Sequence, residues 1–353
     1  MSEFDPGRVH RILVRANNWI GDVVMISPAV RAIREHFPQA RVAILAKTWV
    51  IETLRGSPFY DDLIEYDRAG RHRGVGGRLR LVAELRRGRY DLAVLFQKAF
   101  EAAALAFLGG ARWRVGYAAD FRRRLLTHPL PPPPQGMHHV DVFLGLARFL
   151  GCPVRDRIPV FHLDAEARAS AESILEEAGR DDRAPLLAIH PGASKAPRAW
   201  HPDRFGDVGS RLCRAAGAQV VLLGGPGDRP MLETIASRLP ARQALMPARP
   251  VSIKEMGGVL ERCRLFIGND SGPMHIAAAL GVPTVGIFGP GSPERTAPVA
   301  RAGRLEVVRR PYPCSPCRQD FFRECSPAPS GKPFCLEEIP VEDVEGAALR
   351  LLR

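Results

Sequence analysis

Along the chain, short runs that are apolar on both faces alternate with longer segments whose apolar positions recur every three or four residues. RILVRA (Arg11–Ala16), RVAILAK (Arg41–Lys47) and DLAVLFQ (Asp91–Gln97) are runs of the first kind. Strands of this type belong in a parallel sheet covered by helices. Between the first two, VVMISPAVRAIREHF places Val23, Ile26, Val30, Ile33 and Phe37 on one helical face. Its Ser27-Pro28 has the chemistry of a cap and first-turn proline, so the helix starts or kinks there. PLPPPPQG (Pro129–Gly136) interrupts the alternation, and HHVDVFLGLARFLG then predicts a helix ending at Gly151. The stretch Ile158–Arg183 reads as a linker running into a charged helix. After it the alternation restarts with strands PLLAIH, AQVVLLGG, RLFIGN and PTVGIF. Helices are expected at Pro202–Ala216, near Met231–Leu239, at Ile253–Cys263, in SGPMHIAAALG and in the C-terminal PVEDVEGAALRLL. The pattern predicts an α/β protein of two similar units, residues 1–162 and 163–353.

Open α/β sheets bind ligands beyond the carboxyl ends of their strands. Four loops follow strands in that way: NNWIGD, HPGASKAPRAW, GGPGDRP and GNDSGPMH. In the last, Asp270 or Ser271 can cap a helix that has Pro273 in its first turn. A helix start with unpaired amides and a hydroxyl favours a phosphate, and Gly272 lets it approach the backbone. His275 lies one turn further in. A capped helix with a buried histidine accounts for any one of these residues, but the constellation points to an anion site. In NNWIGD, Asp22 is either an N-cap or a carboxylate able to take a proton from a hydroxyl. No G-x-G-x-x-G is present, which argues against an ordinary dinucleotide dehydrogenase. Ser194, Lys195 and Arg198 give HPGASKAPRAW three donors for a diphosphate, whereas Trp200 reads as a packing residue.

Charge narrows the partners only partly. Among 353 residues, 50 Lys and Arg against 38 Asp and Glu leave a net charge of +12. Arginines crowd the first half, at Arg68–Arg73, Arg86, Arg87, Arg89, Arg112, Arg114 and Arg122–Arg124. Nucleic acid, an anionic membrane surface or a phosphorylated substrate would each suit this excess, and an arginine-rich composition accounts for part of it. With 7% aromatic residues and no stacking pattern, nucleic acid is the weakest of the three. No apolar run approaches the ~18 residues of a membrane helix. The polar start MSEFDPGRVH lacks a secretion signal's apolar core, and the expectation is a cytoplasmic protein.

Of the seven cysteines, Cys152, Cys213 and Cys263 sit in apolar contexts as ordinary buried thiols. The rest form C-x2-C-x7-C-x9-C at Cys314, Cys317, Cys325 and Cys335. Structural zinc and plain thiols are evenly balanced readings of that spacing. A disulfide framework does not fit a cytoplasmic protein.

Taken together, GDVVMISPAVRAIREHFP, HPGAS…RAWHPDRF and GNDSGPMHIAAALGVPTVGIFGP resemble glycosyltransferase family 9, the ADP-heptose:lipopolysaccharide heptosyltransferases. NWIGDVVMISPAVRAI most resembles the heptosyltransferase II branch. The resemblance implies a GT-B fold, two Rossmann-like domains with parallel sheets facing a central cleft. It implies an acceptor-binding domain at 1–162 and an ADP-sugar-binding domain at 163–353, with a last helix that can pack back on the first. By the same resemblance the enzyme is inverting and metal-independent, and needs no cofactor beyond its donor ADP-heptose. Asp22 corresponds to the general base. Arg198, with Ser194 and Lys195 nearby, corresponds to the diphosphate site. Asp270, Ser271, Gly272, Pro273, Met274 and His275 correspond to the segment binding the ADP part. Asp228, in GGPGDRP, is displaced from the family's acidic position, which leaves its ribose role open. The implied acceptor is a phosphorylated inner-core lipopolysaccharide, Kdo-lipid A bearing heptose. That acceptor implies transient contact with the cytoplasmic face of the inner membrane and no nucleic-acid partner. Another GT-B transferase, heptosyltransferase I or III, and a sugar-nucleotide epimerase are the alternatives.

Overall fold

The first apolar run, β1 (Arg11–Arg15), lies at the centre of a six-stranded parallel sheet. Its companions are β2 (Arg41–Lys47), β3 (Asp62–Tyr66), β4 (Leu92–Leu95), β5 (Trp113–Tyr117) and β6 (His128–Leu130). In this computed structural model, which describes residues 4–323 and 325–353, they are ordered β3-β2-β1-β4-β5-β6. The core strands are buried along nearly their whole length, which is why they read as continuous apolar runs. The proline-rich stretch begins inside β6, where Pro129 is tolerated because the strand is at a sheet edge. The amphipathic segment after β1 is two helices, Ile20–Met25 and Ser27–His36, broken at Ile26 ahead of Pro28. The helix His139–Phe149 closes at Gly151, whose φ of +79° only glycine adopts cheaply.

A second sheet repeats the plan. Its strands are β7 (Leu186–His190), β8 (Gln219–Leu222), β9 (Ala244–Leu245), β10 (Leu265–Asn269), β11 (Thr284–Phe288) and β12 (Leu305–Arg309). Their order, β12-β11-β10-β7-β8-β9, is the winding of the first sheet read from the other edge. All pairs in both sheets are parallel. The chain accordingly divides into two compact units, Met1–His162 and Leu163–Arg353.

Local chemistry sets the helix ends of the second unit. Asp164 caps Ala165–Glu177 by accepting from Ala167 N at 2.8 Å. Ser252 and Glu255 form a reciprocal capping box on Ile253–Glu261. Pro202–Ala216 begins on its proline and ends at Gly217. Sequence reading left open whether the last helix packs back on the first domain. In the structure Val341–Leu352 buries Val344, Ala347 and Ala348 in the core of the second unit, against β10–β12 and Pro202–Ala216.

Helices Ala165–Glu177 and Ile253–Glu261 touch closely at Gly258. A Cβ built there would lie 2.6 Å from Ala167 O and 2.7 Å from Ala171 Cβ. Because this contact is backbone against backbone, Gly258→Val should overpack it by about 1–3 kcal/mol. The expected readout is a lower urea midpoint for the second unit, and an unchanged midpoint would mean that the helices separate freely.

Candidate functional site

In each unit the winding reverses direction next to its first strand, between β1 and β4 and between β7 and β10. At such a switch point the loops on either side diverge and leave a crevice at the carboxyl edge. The loop after β1 carries Asn17–Asp22, and the loop after β7 carries Pro191–Arg198. The loop after β10 is Asp270-Ser271.

In the first unit Asp22 stands in the first turn of Ile20–Met25, with its side chain 18% exposed. Nδ1 of His139 lies 3.2 Å from its Oδ1, and Asn17 Nδ2 donates to its Oδ2 at 3.3 Å. Asp22 caps nothing with its side chain: the helix N-cap is Trp19. His139 escaped the sequence reading because it is 117 residues away, at the start of a helix read only for its extent to Gly151. Beneath the loop lies Arg15, fully buried, which donates to Asn18 Oδ1 at 3.0 Å and to the carbonyls of Ala16 and Leu45. Burial pushes its guanidinium down to about 10, opposed by Glu101, so it stays charged at neutral pH. Arg122 is likewise buried, donating to Tyr117 O at 2.9 Å and to Gln97 O. It therefore leaves the surface cluster to which its sequence neighbours assigned it.

The loops leaving the other strands of this sheet form a cationic and aromatic rim. Lys47 ends β2 and sits 4.8 Å from the Trp49 ring. Arg68, Arg71 and Arg73 follow β3 and are exposed, and Lys98 follows β4. Phe121, which is 99% exposed, precedes exposed Arg123 and Arg124 after β5.

In the second unit the predicted residues converge. Arg198 Nη2 donates to Asp270 at both Oδ2 (2.5 Å) and the main-chain O (3.0 Å), while Nη1 donates to Ser194 Oγ at 3.3 Å. Ser271 is the N-cap of Gly272–Ala279, with Pro273 in the first turn, but its hydroxyl caps no amide. Ser271 Oγ and Arg198 Nε are both buried without a hydrogen-bond partner among the described residues. A hydroxyl, a guanidinium edge and a helix start are thus left with donors for an anion.

Three side chains differ from expectation. Lys195 turns to Gln319 O at 3.4 Å and to the Phe321 ring. Met274 is wholly buried, and a Cβ at Gly286 of β11 would stand 2.6 Å from its sulfur, so its side chain is a packing group. Asp228 folds back on its own turn, accepting from Gly225 N at 2.8 Å. Trp200 packs as expected, edge-on to Phe205 at 5.1 Å. His275 is buried one turn into the helix. His190, at the end of β7, is pushed down by burial against the pull of Asp228 and is neutral at pH 7.

Two cavities adjoin these loops. One, of about 310 Å³, lies beyond β8 and β9 and is lined by Gly224, Gly225, Arg229 and Pro247–Val251. Its wall in GGPGDRP belongs to a loop expected at the site, whereas Pro247–Val251 carries no motif and was not anticipated. The other, of about 220 Å³, is lined by all four C-terminal cysteines. Burial and the other three cysteines push the Cys335 thiol up to about 12. Among the described residues no three His, Cys, Asp or Glu are gathered tightly enough to hold an ion as they stand.

The model of glycosyltransferase family 9 (heptosyltransferase) matches residues 78–325. Lipopolysaccharide heptosyltransferase 2 of Salmonella typhimurium is 26% identical over 304 residues, 84% of this chain and 87% of that protein. The family 9 glycosyl transferase from Veillonella parvula superposes with a TM-score of 0.85 at 24% identity, over 99% of this chain and 98% of that one. E. coli ADP-heptose lps heptosyltransferase II gives 0.78 at 23%, over 97% and 98%. The fold class is the expected α/β GT-B. By the extent of the family match, the chain belongs to glycosyltransferase family 9, the heptosyltransferases.

Proposed function

We propose that this enzyme transfers heptose from ADP-L-glycero-D-manno-heptose to a heptose of the lipopolysaccharide inner core, as a heptosyltransferase II. The observation that carries the donor half is the pair of unpartnered groups, Ser271 Oγ and Arg198 Nε, at the start of Gly272–Ala279. A diphosphate supplies the acceptors that both lack. The amides of Gly272 and the following turn add the helix's positive end. The adenosine enters the cavity bounded by Gly224, Gly225 and Pro247–Val251, where Arg229 and Arg249 stand at its polar margin. On this reading the second unit binds the donor and the first the acceptor.

Asp22 is the general base. Its carboxylate takes the proton of the acceptor hydroxyl as that oxygen attacks the anomeric carbon, and ADP departs from the opposite face, inverting the centre. His139 and Asn17 hold the carboxylate in one orientation and leave it partly open to solvent. Negative charge growing on the departing diphosphate is met by Arg198 and the helix start, so that the chain's own donors supply the stabilisation. Asp270 aims Arg198 through its two contacts.

The acceptor is a phosphorylated lipid-linked core, and the rim of Lys47, Lys98, Arg68, Arg71, Arg73, Arg123 and Arg124 matches its charge. Phe121, Trp19 and Trp49 expose large apolar area among those cations. Cations with interleaved aromatics suit transient contact with the anionic cytoplasmic face of the inner membrane. No helix among the described residues is long and apolar enough to cross it.

Incubation with ADP-heptose and acceptors bearing no, one or two heptoses tests the assignment. Turnover should be confined to the mono-heptosylated acceptor; turnover with a UDP-sugar and none with ADP-heptose would overturn it. Asp22→Asn should lower kcat by about 10²–10⁴ while ADP affinity stays within about twofold, as for loss of a base. Retained turnover would remove Asp22 from that role. Asp270→Asn loosens Arg198 and should raise the donor KM about tenfold with a smaller change for the acceptor. Equal effects on both substrates would mean that Asp270 only supports the fold.

A further inference from the structure

The four C-terminal cysteines fall between residues 314 and 335 and share one cavity. Residues 310–323 and 325–333 form no helix or extended strand and are held by two isolated bridges, Tyr312 with Ser315 and Pro327 with Pro333. Around the resulting space of about 220 Å³ stand Cys314 and Cys317 from one turn, Cys325 from the next and Cys335 from the helix Phe334–Glu337. Tyr312 and Phe334 stack at 6.1 Å beside it. The amide of Gln319 donates to Cys317 Sγ at 3.3 Å, a contact that favours a sulfur carrying negative charge. Arg318, Arg323 and Lys332 lie within the segment, and Lys195 reaches it from the loop after β7.

We infer that Cys314, Cys317, Cys325 and Cys335 bind one thiophilic divalent metal ion, Zn²⁺ or Fe²⁺, as a four-thiolate structural site. Tetrahedral sulfur coordination suits both ions, and the C-x2-C turn supplies two ligands from one loop. Four thiols release their protons on binding, and the resulting complex has a net charge of −2, which the surrounding cations meet. The thiols surround the cavity without being drawn to ligand distance. Drawing the thiols together is work that metal binding itself performs on a segment with so little regular structure.

The site also bears on the donor loop, a point that rests on the proposed function. Gln319 O accepts from Lys195 Nζ at 3.4 Å, and Lys332 Nζ donates to Ala196 O at 3.2 Å. Ser315 Oγ donates to Gly289 O at 2.6 Å, and Cys317 N donates to Pro290 O at 3.2 Å. The Pro191–Arg198 loop, at the adjacent residues Lys195 and Ala196, and the turn after β11 are therefore braced by the cysteine segment. The metal is a positioning device for the diphosphate site and takes no part in bond making.

The test is elemental analysis of the full-length protein purified without chelator. It should hold about one equivalent of zinc or iron per chain, as structural four-thiolate sites do, and the measurement says which. Cys314→Ser/Cys317→Ser should lose the metal, while Cys152→Ser, in the first unit, should keep it. Because the double variant can misfold, unaltered protein stripped of metal is titrated with Co²⁺. One equivalent should develop the intense thiolate-to-cobalt absorption of a tetrahedral four-sulfur site. Less than about a tenth of an equivalent of either metal, as purified and after incubation with Zn²⁺ or anaerobic Fe²⁺, would overturn the inference, as would cobalt bound without that absorption. Stripping should raise the ADP-heptose KM about fivefold with kcat changed less; an unaltered KM would overturn the bracing role. Metal bound without any ADP-heptose turnover would instead count against the proposed function alone.

Discussion

The second unit's site depends on one buried side chain that no motif reading singles out. Asn269, at the end of β10, is completely enclosed. Its Nδ2 donates to Pro191 O at 2.6 Å, and its Oδ1 accepts from Trp200 N at 3.0 Å. One amide group thus grips both ends of the stretch Pro191–Trp200, which leads from β7 to the helix Pro202–Ala216. Without it, a buried carbonyl and a buried amide would lack partners, at about 1–3 kcal/mol each. Held in this way, the loop carries Arg198 onto Asp270, the residue directly after Asn269. The guanidinium and the helix start at Ser271 are therefore fixed by the same strand end, and the geometry of the anion site follows from backbone positions.

The first unit solves the same problem with a cation. Arg15 ends β1, and its guanidinium reaches Asn18, Ala16 O and Leu45 O from below the loop that presents Asp22. A lysine could not replace it, because a single ammonium lacks the planar fork that spans three acceptors. Tyr66 lies under the same guanidinium and donates to Glu101 at 2.8 Å, so the buried charge is compensated within its own unit. Both units thereby place a rigid support at the switch point and leave the functional group above it to face solvent or ligand.

Much of this architecture was legible because parallel strands covered on both sides must be apolar throughout. β2 and β11 coincide with the runs RVAILAK and PTVGIF save for one terminal residue, and Pro202–Ala216 matches its expected bounds. The strands that escaped, among them the mostly half-buried β12 (Leu305–Arg309), are those where the rule weakens. β3 is only half-buried, β5 carries Arg114 and Gly116, β6 has a proline and β9 has two residues. The loops after β7 and β10 could be read as an anion site because they hold their donors within a few residues of one another. His139, Asn269 and Arg15 could not, since each acts on a partner that only the sheet order brings near, or from inside an apolar run.

Net charge shows the same limit from another side. An excess of 12 positive charges suggests an anionic partner, yet a count cannot distinguish arginines by their work. Arg15 and Arg122 are buried scaffolding, tied to backbone carbonyls. Arg114 is held by Leu125 O at 2.7 Å, and Arg34 and Arg41 are paired with Asp61 and Asp62. Arg198 is committed to Asp270 with one edge left over. Exposed arginines also lie elsewhere, at Arg87, Arg155, Arg264 and Arg301, so what sets the loops at the carboxyl ends of β2 to β5 apart is the aromatic rings exposed beside their cations. The charge available for recognition is therefore smaller than the composition suggests, and part of it stands together on the loops after β3 and β5. Concentration of that kind steers a multiply charged ligand to a chosen face, which the same charge spread evenly would not do.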